Sequence, residues 1–481
     1  MDLGAKTYQR ILLVFGLITI AFGALVVQLI RIQLLHHRSY SLQAVKQRSR
    51  SLLKDERGFF VDREGRVIRG PALNKGGTGQ EGGFDPVAWH LLGTYRKKGL
   101  SGLEYSFDYQ LQNSQSSGSL VTIRDGWHRR IQGLGILSQT PGLRGIKLTL
   151  DLRIQKLVEQ IMDREQVTGS IVILNAQNGQ ILAMASRPVI NLSNPESSLR
   201  DPDHPFLNRA ISAYYPGSIF KLVILCAGLE SGVIKPDEIF NDRGFVKTGG
   251  KEWTPPTGSH RGHGPIHLTD ALAYSSNPVF IEIAFRMGPG PILACAERLG
   301  LGQPCNIGLK DEAWGELPSG LGLSSGEQAN MALGQSNVLA TPLQIASLIQ
   351  TIANDGIRNK PRLILGSFAA NDLPLHWMEP EPPQTVLTPE TARVVQAMMK
   401  AVIDYGTGQE AQLPVGAAGK TGTAQSGGNG TTSDYAWFAG YAPFRKPRFV
   451  TVVFCEKGVS GGKTAAPIFR EIMDKVSKLK D

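Results

Sequence analysis

Residues Ile11–Ile30 form an uncharged run in which only Thr19 and Gln28 are polar. As a helix, a run of this length rises about 30 Å, which matches the hydrocarbon thickness of a bilayer. No small-residue cleavage site stands at its end, where Arg31 follows Ile30. The run therefore predicts a single uncleaved membrane anchor over residues 11–33, preceded by a short cytoplasmic tail, residues 1–10.

The charges on either side of this run point to one orientation, and the chemistry of the C-terminal motifs points to the other. Two basic residues precede the run, whereas five follow it between Arg31 and Arg50. The positive-inside rule would therefore keep the long C-terminal part in the cytoplasm. Because large domains are translocated despite their charge, we expect the C-terminal part to be extracytoplasmic, on the strength of its predicted chemistry.

Length and charge constrain the part of the chain beyond the anchor. The chain has 481 residues, of which 41% are hydrophobic and 19% charged, enough for two or three domains with a large core. A net charge of +10 favours anionic surroundings such as lipid headgroups or cell-wall polymers, or simply a solvated basic surface. No zinc finger, recognition-helix pattern or basic-aromatic stripe is present in the sequence, so a nucleic-acid partner is not expected.

The cysteines and histidines do not have the spacing of a metal site. The four cysteines contain no C-x-x-C pair, and buried free thiols are a stronger expectation than a Cys295–Cys305 disulfide. His260, His263 and His267 are close in sequence, but the glycines and the proline between them argue against a helix that would align two of them. We expect no metal and no other cofactor.

The order of apolar patterns predicts an α+β fold over residues 146–481. Gly169–Leu174 and Ile181–Ala185 are two strands joined by Asn178-Gly179, a hairpin signal. Phe449–Phe454 is a late strand, and Pro467 then opens a helix with one apolar face. Strands at both ends with helices between them predict an antiparallel sheet covered by helices. Residues 34–145 contain a strand–turn–strand pattern that begins near Arg57, and we expect them to form a smaller domain.

Ser218 and Lys221 place a hydroxyl and an amine one helical turn apart. Pro216 and Gly217 break the chain before them, and the residues around Lys221 are apolar on every side, which predicts a buried helix. Residues i and i+3 share a helix face, so the amine can reach Ser218 Oγ. Burial lowers the pKa of an amine and leaves it able to accept a proton. Ser218 is therefore the candidate nucleophile and Lys221 the candidate base.

This spacing alone does not identify a site, because Ser51 and Lys54 repeat it. A second motif, Ser275-Ser276-Asn277, follows a short helical pattern and precedes Pro278. Its hydroxyl and carboxamide groups are suited to relay a proton and to hold a peptide amide. Helix capping is the alternative interpretation of the same residues.

A third motif, Lys420-Thr421-Gly422-Thr423, lies before a Gly-rich loop and the strand Tyr435–Tyr441. This context predicts a strand at the border of a cleft. There the lysine supplies positive charge, the threonine hydroxyls bind a carboxylate, and the glycine lets a substrate backbone approach. A phosphate-binding loop is excluded, because Pro414 occupies the position of its first glycine.

In this order, the three motifs resemble those of the penicillin-binding proteins and serine β-lactamases. The predicted anchor and the stretches Arg57–Gly65, Gly102–Glu104 and Thr341–Gln344 are similar to class B penicillin-binding proteins. The resemblance implies a membrane-bound D,D-transpeptidase that cross-links peptidoglycan stem peptides and is acylated by β-lactams. It also implies that residues 34–145 form a non-catalytic pedestal, and that a membrane glycosyltransferase of the division, elongation or sporulation type is the partner.

The resemblance implies a role for each motif residue. Ser218 would attack the D-alanyl carbonyl of a donor peptide, Lys221 would take its proton, and Ser275 would relay protons. Asn277 would hold the donor amide, and the backbone amides of Ser218 and Thr423 would hold the oxyanion. The remaining residues would organise the site and bind the substrate carboxylate: Lys420, Thr421, Gly422 and Thr423.

Other activities fit the same motifs. A β-lactamase or a D,D-carboxypeptidase differs from a transpeptidase in passing the acyl group to water. A membrane-anchored β-lactam sensor or scaffold would depend on contacts rather than on chemistry at Ser218. A bifunctional glycan polymerase is not expected, because the roughly 115 residues between the anchor and the catalytic domain are too few for a glycosyltransferase.

Overall fold

A computed structural model describes residues 3–30, 58–69, 87–93, 101–112, 120–124, 130–137, 143–191, 194–248, 251–253, 261–320, 322–369, 374–425 and 434–479. The chain divides into two compact units, Met1–Glu56 and Arg57–Asp481. The predicted site residues all belong to the second unit, whereas Ser51 and Lys54 lie outside the described residues.

The first unit contains one described helix, Leu3–Ile30. Val14–Val26 is a shorter apolar stretch within it, and among the described residues none of the helices has both the length and the apolar character of a single membrane span. The helix covers most of the predicted anchor, whose last residues, 31–33, lie outside the described part. The anchor stays a prediction.

The strands of the second unit are distributed along its whole described length. They are β1 (Phe59–Val61), β2 (Val67–Arg69), β3 (Leu120–Arg124), β4 (Arg130–Leu137), β5 (Leu143–Leu148), β6 (Gly169–Asn175), β7 (Ile181–Arg187), β8 (Ile239–Asp242), β9 (Val246–Thr248), β10 (Lys251–Trp253), β11 (Gly264–His267), β12 (Ile357–Arg358), β13 (Ile364–Ala369), β14 (Pro374–Trp377), β15 (Gln384–Thr385), β16 (Ala418–Gln425), β17 (Asp434–Ala442) and β18 (Phe449–Gly458).

The described part of this unit also contains helices. They are Trp89–Leu92, Gly102–Ser106, Asp108–Gln112, Leu152–Arg164, Lys221–Glu230, Leu268–Ala273, Asn277–Met287, Pro289–Arg298, Ser325–Ala332, Pro342–Ala353, Pro389–Asp404 and Ala466–Ser477. Shorter 3₁₀ turns occur at Pro195–Arg200, Gly217–Phe220 and Gln409–Ala411, and a π turn at Gly461–Ala465.

The main sheet has five antiparallel strands in the order β16-β17-β18-β6-β7. Since side chains alternate along a strand, Val452 of β18 joins the apolar core on one face and Val453 joins the core on the other. Helices Leu152–Arg164 and Ala466–Ser477 cover the second face, and Lys221–Glu230 belongs to the first core. The predicted antiparallel sheet covered by helices is confirmed, and so is its β6–β7 hairpin.

A second sheet, in the order β14-β13-β5-β1-β2, combines strands from distant parts of the chain. β1 pairs antiparallel with β2, as the strand–turn–strand pattern predicted, and parallel with β5. β5 in turn pairs antiparallel with β13, more than 200 residues further along the chain. The predicted boundary between residues 145 and 146 falls inside β5, and the domain limits stay a prediction.

Candidate active site

The turn that carries Ser218 is held against β16 by glycines. Gly217 has a φ of +57°, and a Cβ at this position would lie 2.5 Å from the Thr423 carbonyl oxygen. Its amide donates to the carbonyl oxygen of Gly334 at 3.0 Å. Ser218 follows in the 3₁₀ turn and is half-buried. The interruption predicted at Pro216-Gly217 is therefore a close contact between the edge strand β16 and the turn of the candidate nucleophile (the nucleophile turn, Gly217–Phe220).

Helix Lys221–Glu230 is buried on all sides over its first two turns, as predicted from its apolar residues. The Lys221 side chain is fully buried. Its amine donates to the Ser275 carbonyl at 2.6 Å, to Ser275 Oγ at 3.1 Å and to Asn277 Oδ1 at 2.6 Å. These contacts join the first motif to the second, although the two are more than fifty residues apart in the sequence.

The amine of Lys221 contacts Ser275 and Asn277 in place of the expected contact with Ser218. Within the described residues no hydrogen bond joins the Lys221 amine to the Ser218 hydroxyl. The reason is that the three donors of a protonated lysine are directed at the Ser275 carbonyl, Ser275 Oγ and Asn277 Oδ1. Lys221 must therefore be neutral, with one of these hydrogen bonds given up, before it can take a proton from Ser218.

Ser275 lies between two buried amines. Lys420 is also fully buried, and its amine donates to Ser275 Oγ at 3.0 Å and to the Thr421 carbonyl at 3.0 Å. A hydroxyl has one proton to donate and two lone pairs to accept with. Ser275 Oγ can therefore accept from one lysine while it donates to the other, which makes it a proton path between them.

Burial lowers the pKa of both lysines. For Lys221 burial is the largest cause, the positive charge of Lys420 lowers the pKa further, and Asp242 acts in the opposite direction. The pKa of Lys221 lies well below its ordinary value, and burial lowers the pKa of Lys420 to about 7. A neutral, proton-accepting amine at Lys221 is consistent with the role predicted for it.

The Ser275-Ser276-Asn277 segment joins helices Leu268–Ala273 and Asn277–Met287. Ser275 has a left-handed backbone with a φ of +59°, a conformation that non-glycine residues rarely adopt. Ser276 is the N-cap residue of the second helix and accepts from the Val279 amide at 3.4 Å. The capping interpretation therefore applies to Ser276, while Ser275 and Asn277 contact Lys221.

The third motif lies on β16, at the edge of the main sheet, as predicted. Thr421 Oγ1 is 2.6 Å from Thr407 Oγ1, and Thr423 Oγ1 accepts from the Gly461 amide at 3.3 Å. A Cβ at Gly422 would lie 2.8 Å from the Pro216 carbonyl oxygen. In this structure the backbone that approaches Gly422 closely is that of the nucleophile turn, a contact that sequence reasoning did not include.

Asp242 contacts Ser276 of the second motif and His263 contacts Asp242, and sequence reasoning predicted neither contact. The His263 ring nitrogen Nδ1 lies 2.8 Å from Asp242 Oδ2, to which the Ser276 hydroxyl donates at 2.8 Å. The spacing of His263 suggested only a metal ligand, His267 lies at the end of β11, and His260 is outside the described residues. Groups of three or more His, Cys, Asp or Glu side chains suited to a metal are absent from the described part of the chain.

The four cysteines are free and buried, as the stronger of the two expectations had it. Cys295 and Cys305 therefore do not pair. Burial is the largest cause that raises the pKa of each thiol.

Comparison with known proteins places the chain among related sequences. Residues 169–474 match a family model described as the penicillin binding protein transpeptidase domain. Penicillin-binding protein PbpB of Mycolicibacterium smegmatis is 32% identical over 401 residues, which cover 78% of this chain and 60% of that protein. Stage V sporulation protein D of Bacillus subtilis is 30% identical over 424 residues, covering 81% and 62%. The chain thus spans about three fifths of the length of these relatives.

Solved structures give the same fold. Penicillin-binding protein 3 of Mycobacterium tuberculosis, complexed with aztreonam, superimposes with a TM-score of 0.72 at 28% identity, covering 89% of this chain and 97% of that one. The D,D-transpeptidase domain of a peptidoglycan glycosyltransferase from Eggerthella lenta gives a TM-score of 0.74 at 27% identity, covering 89% and 100%.

Proposed function

This chain belongs to the class B penicillin-binding proteins, and we propose that it is a peptidoglycan D,D-transpeptidase acting through an acyl-enzyme on Ser218. The observation that carries the proposal is the pair of buried lysines joined through Ser275 Oγ beside the half-buried Ser218. Relatives named as peptidoglycan D,D-transpeptidases, such as MrdA of Haemophilus influenzae at 27% identity, support the same activity.

In the acylation step, Ser218 Oγ attacks the carbonyl carbon of the penultimate D-alanine of a donor stem peptide. Its proton passes to the neutral amine of Lys221, which exchanges a hydrogen bond with Ser275 or Asn277 for one with Ser218. Contacts of this kind often form only when substrate is bound. The C–N bond to the terminal D-alanine then breaks, and an ester remains on Ser218.

The leaving D-alanine needs a proton on its nitrogen. Ser275 Oγ supplies it and is reprotonated by the lysines that it contacts, so that the proton lost by Ser218 ends on the departing amine. In the second step an acceptor amine from a neighbouring stem peptide attacks the ester carbon. The acceptor's surplus proton returns to Ser218 Oγ, which leaves as the cross-link forms.

The remaining motif residues bind and orient the substrate in this proposal. Asn277 holds the donor amide, while Lys420, Thr421, Gly422 and Thr423 organise the β16 side and bind the terminal carboxylate. The amides of Ser218 and Thr423 stabilise the oxyanion, the type of interaction that contributes most in acyl transfer. The contact between Gly217 and the Thr423 carbonyl supports this arrangement, because it keeps the two segments adjacent.

We extend the proposal to the rest of the chain. Residues 11–33 are a single membrane anchor, residues 34–145 form the pedestal, and residues 146–481 lie outside the cytoplasm. The partner is a membrane glycosyltransferase of the division, elongation or sporulation type. Protease added to intact spheroplasts should remove a C-terminal epitope tag, whereas a protected tag would contradict this topology.

The activity is tested by acylation of the full-length protein with a fluorescent penicillin. Wild-type protein and Ser51→Ala, which repeats the Ser-x-x-Lys spacing, should form a long-lived covalent adduct by gel and intact mass, and Ser218→Ala should form none. A donor pentapeptide with an acceptor amine should then give a cross-linked product. Rapid loss of the label with consumption of penicillin would instead indicate a β-lactamase. Release of D-alanine without a cross-link would indicate a carboxypeptidase.

A further inference from the structure

We propose that Asp242 and His263 are positioning residues of this active site, which act through Ser276 to hold Ser275 and Asn277 against the buried lysines. The proposal rests on the proposed acylation of Ser218. It assigns a role to a buried carboxylate and a histidine that lie outside the three motifs.

Asp242 collects hydrogen bonds from three directions at the end of β8. Its side chain is buried, and Oδ1 accepts from the Gly244 amide at 2.9 Å. Oδ2 lies 2.8 Å from both His263 Nδ1 and Ser276 Oγ. The pairing of β8 with β11 brings His263 to this position, and the His263 amide also donates to the Asp242 carbonyl at 3.1 Å. Gly244 and His263 thus hold the carboxylate in place independently of its contact with Ser276.

The hydrogen bond from Ser276 to Asp242 helps to hold the strained backbone of Ser275. Ser275 holds a left-handed conformation, which persists only where the surroundings determine it. The amide of Ser275 donates to the Leu272 carbonyl at 3.1 Å and that of Ser276 to the Ala271 carbonyl at 2.8 Å. The Ser276 hydroxyl adds a side-chain anchor on Asp242. Release of this anchor would move the Ser275 hydroxyl away from Lys221.

Asp242 also supplies negative charge that acts on the buried amine of Lys221. The charged groups that act on Lys221 are Lys420, on β16, and Asp242, at the end of β8. Lys420 lowers the pKa of Lys221 and Asp242 raises it. Removal of the Asp242 charge should therefore lower the pKa of Lys221 further.

His263 completes the arrangement on the outer side of Asp242. Its side chain is 31% exposed, whereas that of Asp242 is 1% exposed. The ring stacks on Tyr274 with centroids 5.4 Å apart and planes 9° apart. Since Tyr274 directly precedes Ser275, His263 is tied to the second motif both through Asp242 and through this stack.

The test measures the second-order rate of Ser218 acylation by a fluorescent penicillin as a function of pH, in the full-length protein. Asp242→Asn keeps the shape of the side chain and removes its charge. Glu312→Gln is the matched control, because Glu312 is another buried carboxylate that accepts backbone amides, those of Cys305 and Ile307. His263→Phe retains a ring to stack on Tyr274 but no donor for Asp242.

We expect Asp242→Asn to lower the acylation rate about tenfold, as loss of a buried hydrogen-bonded partner does. The acylation rate should rise with pH as Lys221 loses its proton, and this rise is the acid limb of the pH profile. In Asp242→Asn a lower pKa of Lys221 should move the acid limb to lower pH. His263→Phe should lower the rate while leaving the limb in place. Glu312→Gln should change neither. Equal rates for Asp242→Asn and Glu312→Gln, with the same acid limb, would overturn the proposal.

A second pair keeps the test decisive where Asp242→Asn does not fold. Ser276→Ala removes the link to Asp242, and Ser276→Thr restores a hydroxyl. The alanine variant should acylate about tenfold more slowly than the threonine variant, and equal rates would refute the positioning role. Failure of the proposed function has a different signature, because wild-type protein would then show no Ser218-dependent label at all.

Discussion

Gly217→Ala should separate the nucleophile turn from β16. A Cβ at residue 217 would lie 2.5 Å from the Thr423 carbonyl oxygen and 3.0 Å from its carbon, both of which are backbone atoms of the edge strand. The backbone there has a φ of +57°. A non-glycine residue in this left-handed region costs about 1–2 kcal/mol on conformational grounds alone. The clash adds to that cost, because strand backbone cannot rotate away as a flexible side chain can.

Gly232→Ala measures the conformational cost of a non-glycine residue without the steric clash. Gly232 follows the other end of the same helix with a φ of +71°, and nothing lies within 4 Å of a Cβ built on it. This variant should therefore lose only the conformational term, about 1–2 kcal/mol, and keep the acylation rate of the wild type. Gly217→Ala should lose clearly more stability than Gly232→Ala. It should also acylate on the order of 100-fold more slowly, since a displacement of about 1 Å at a reacting group has an effect of that size.

The assay combines chemical denaturation with the rate of acylation by a fluorescent penicillin. Native-like circular dichroism of Gly217→Ala would show that a slow rate reflects the site rather than unfolding. Equal stability losses for the two variants, together with an unchanged acylation rate for Gly217→Ala, would refute the close packing of the turn against β16.

Three further outcomes are expected from buried groups. Burial lowers the pKa of Lys420 to about 7 from 10.5. Between about pH 7 and pH 10.5 the unfolded chain therefore binds a proton at Lys420 that the folded chain does not, so the free energy of unfolding should rise with pH over this range. Lys420→Met should lose this contribution to the pH dependence of stability, as measured by denaturation at several pH values. The four buried free thiols should resist iodoacetamide in the native protein and react fully in denaturant, as counted by intact mass. Asp151 caps helix Leu152–Arg164 through the Arg153 amide at 2.9 Å, so Asp151→Ala should cost about 1 kcal/mol in denaturation while acylation is unchanged.

Local patterns predicted the parts of the fold that depend on neighbouring residues. Asn178-Gly179 predicted the β6–β7 hairpin, because that turn needs a residue such as Gly179, whose φ is +68°. The apolar face beginning at Ile468 predicted the last helix. The pairing of β5 with β1 and β13 was not predictable in this way, since β5 and β13 are more than 200 residues apart and no periodic signal in any of these strands identifies its partner.

In the candidate site, too, local patterns were predictable and long-range contacts were not. Ser218, Ser275 and Lys420 were predicted as candidate site residues because each belongs to a short motif whose residue types suit the chemistry. The hydrogen bonds of Lys221 were predicted less well, since helical spacing suggests Ser218 as its neighbour and gives no information on the arrival of Ser275 from another helix. A partner brought in by tertiary packing displaced the local one.

Asp242 shows why the second layer of a site is harder to predict than the first. A reacting serine or lysine needs a particular chemistry and so appears in a recognisable pattern, whereas a supporting residue needs only to fill one position with one charge. Asp242 lies more than thirty residues before Ser276 and reaches it because β8 pairs with β11. The same pairing makes His263 its neighbour, although the sequence around His263 indicated at most a metal ligand. Such residues become visible when a buried charge is followed to the groups that satisfy it.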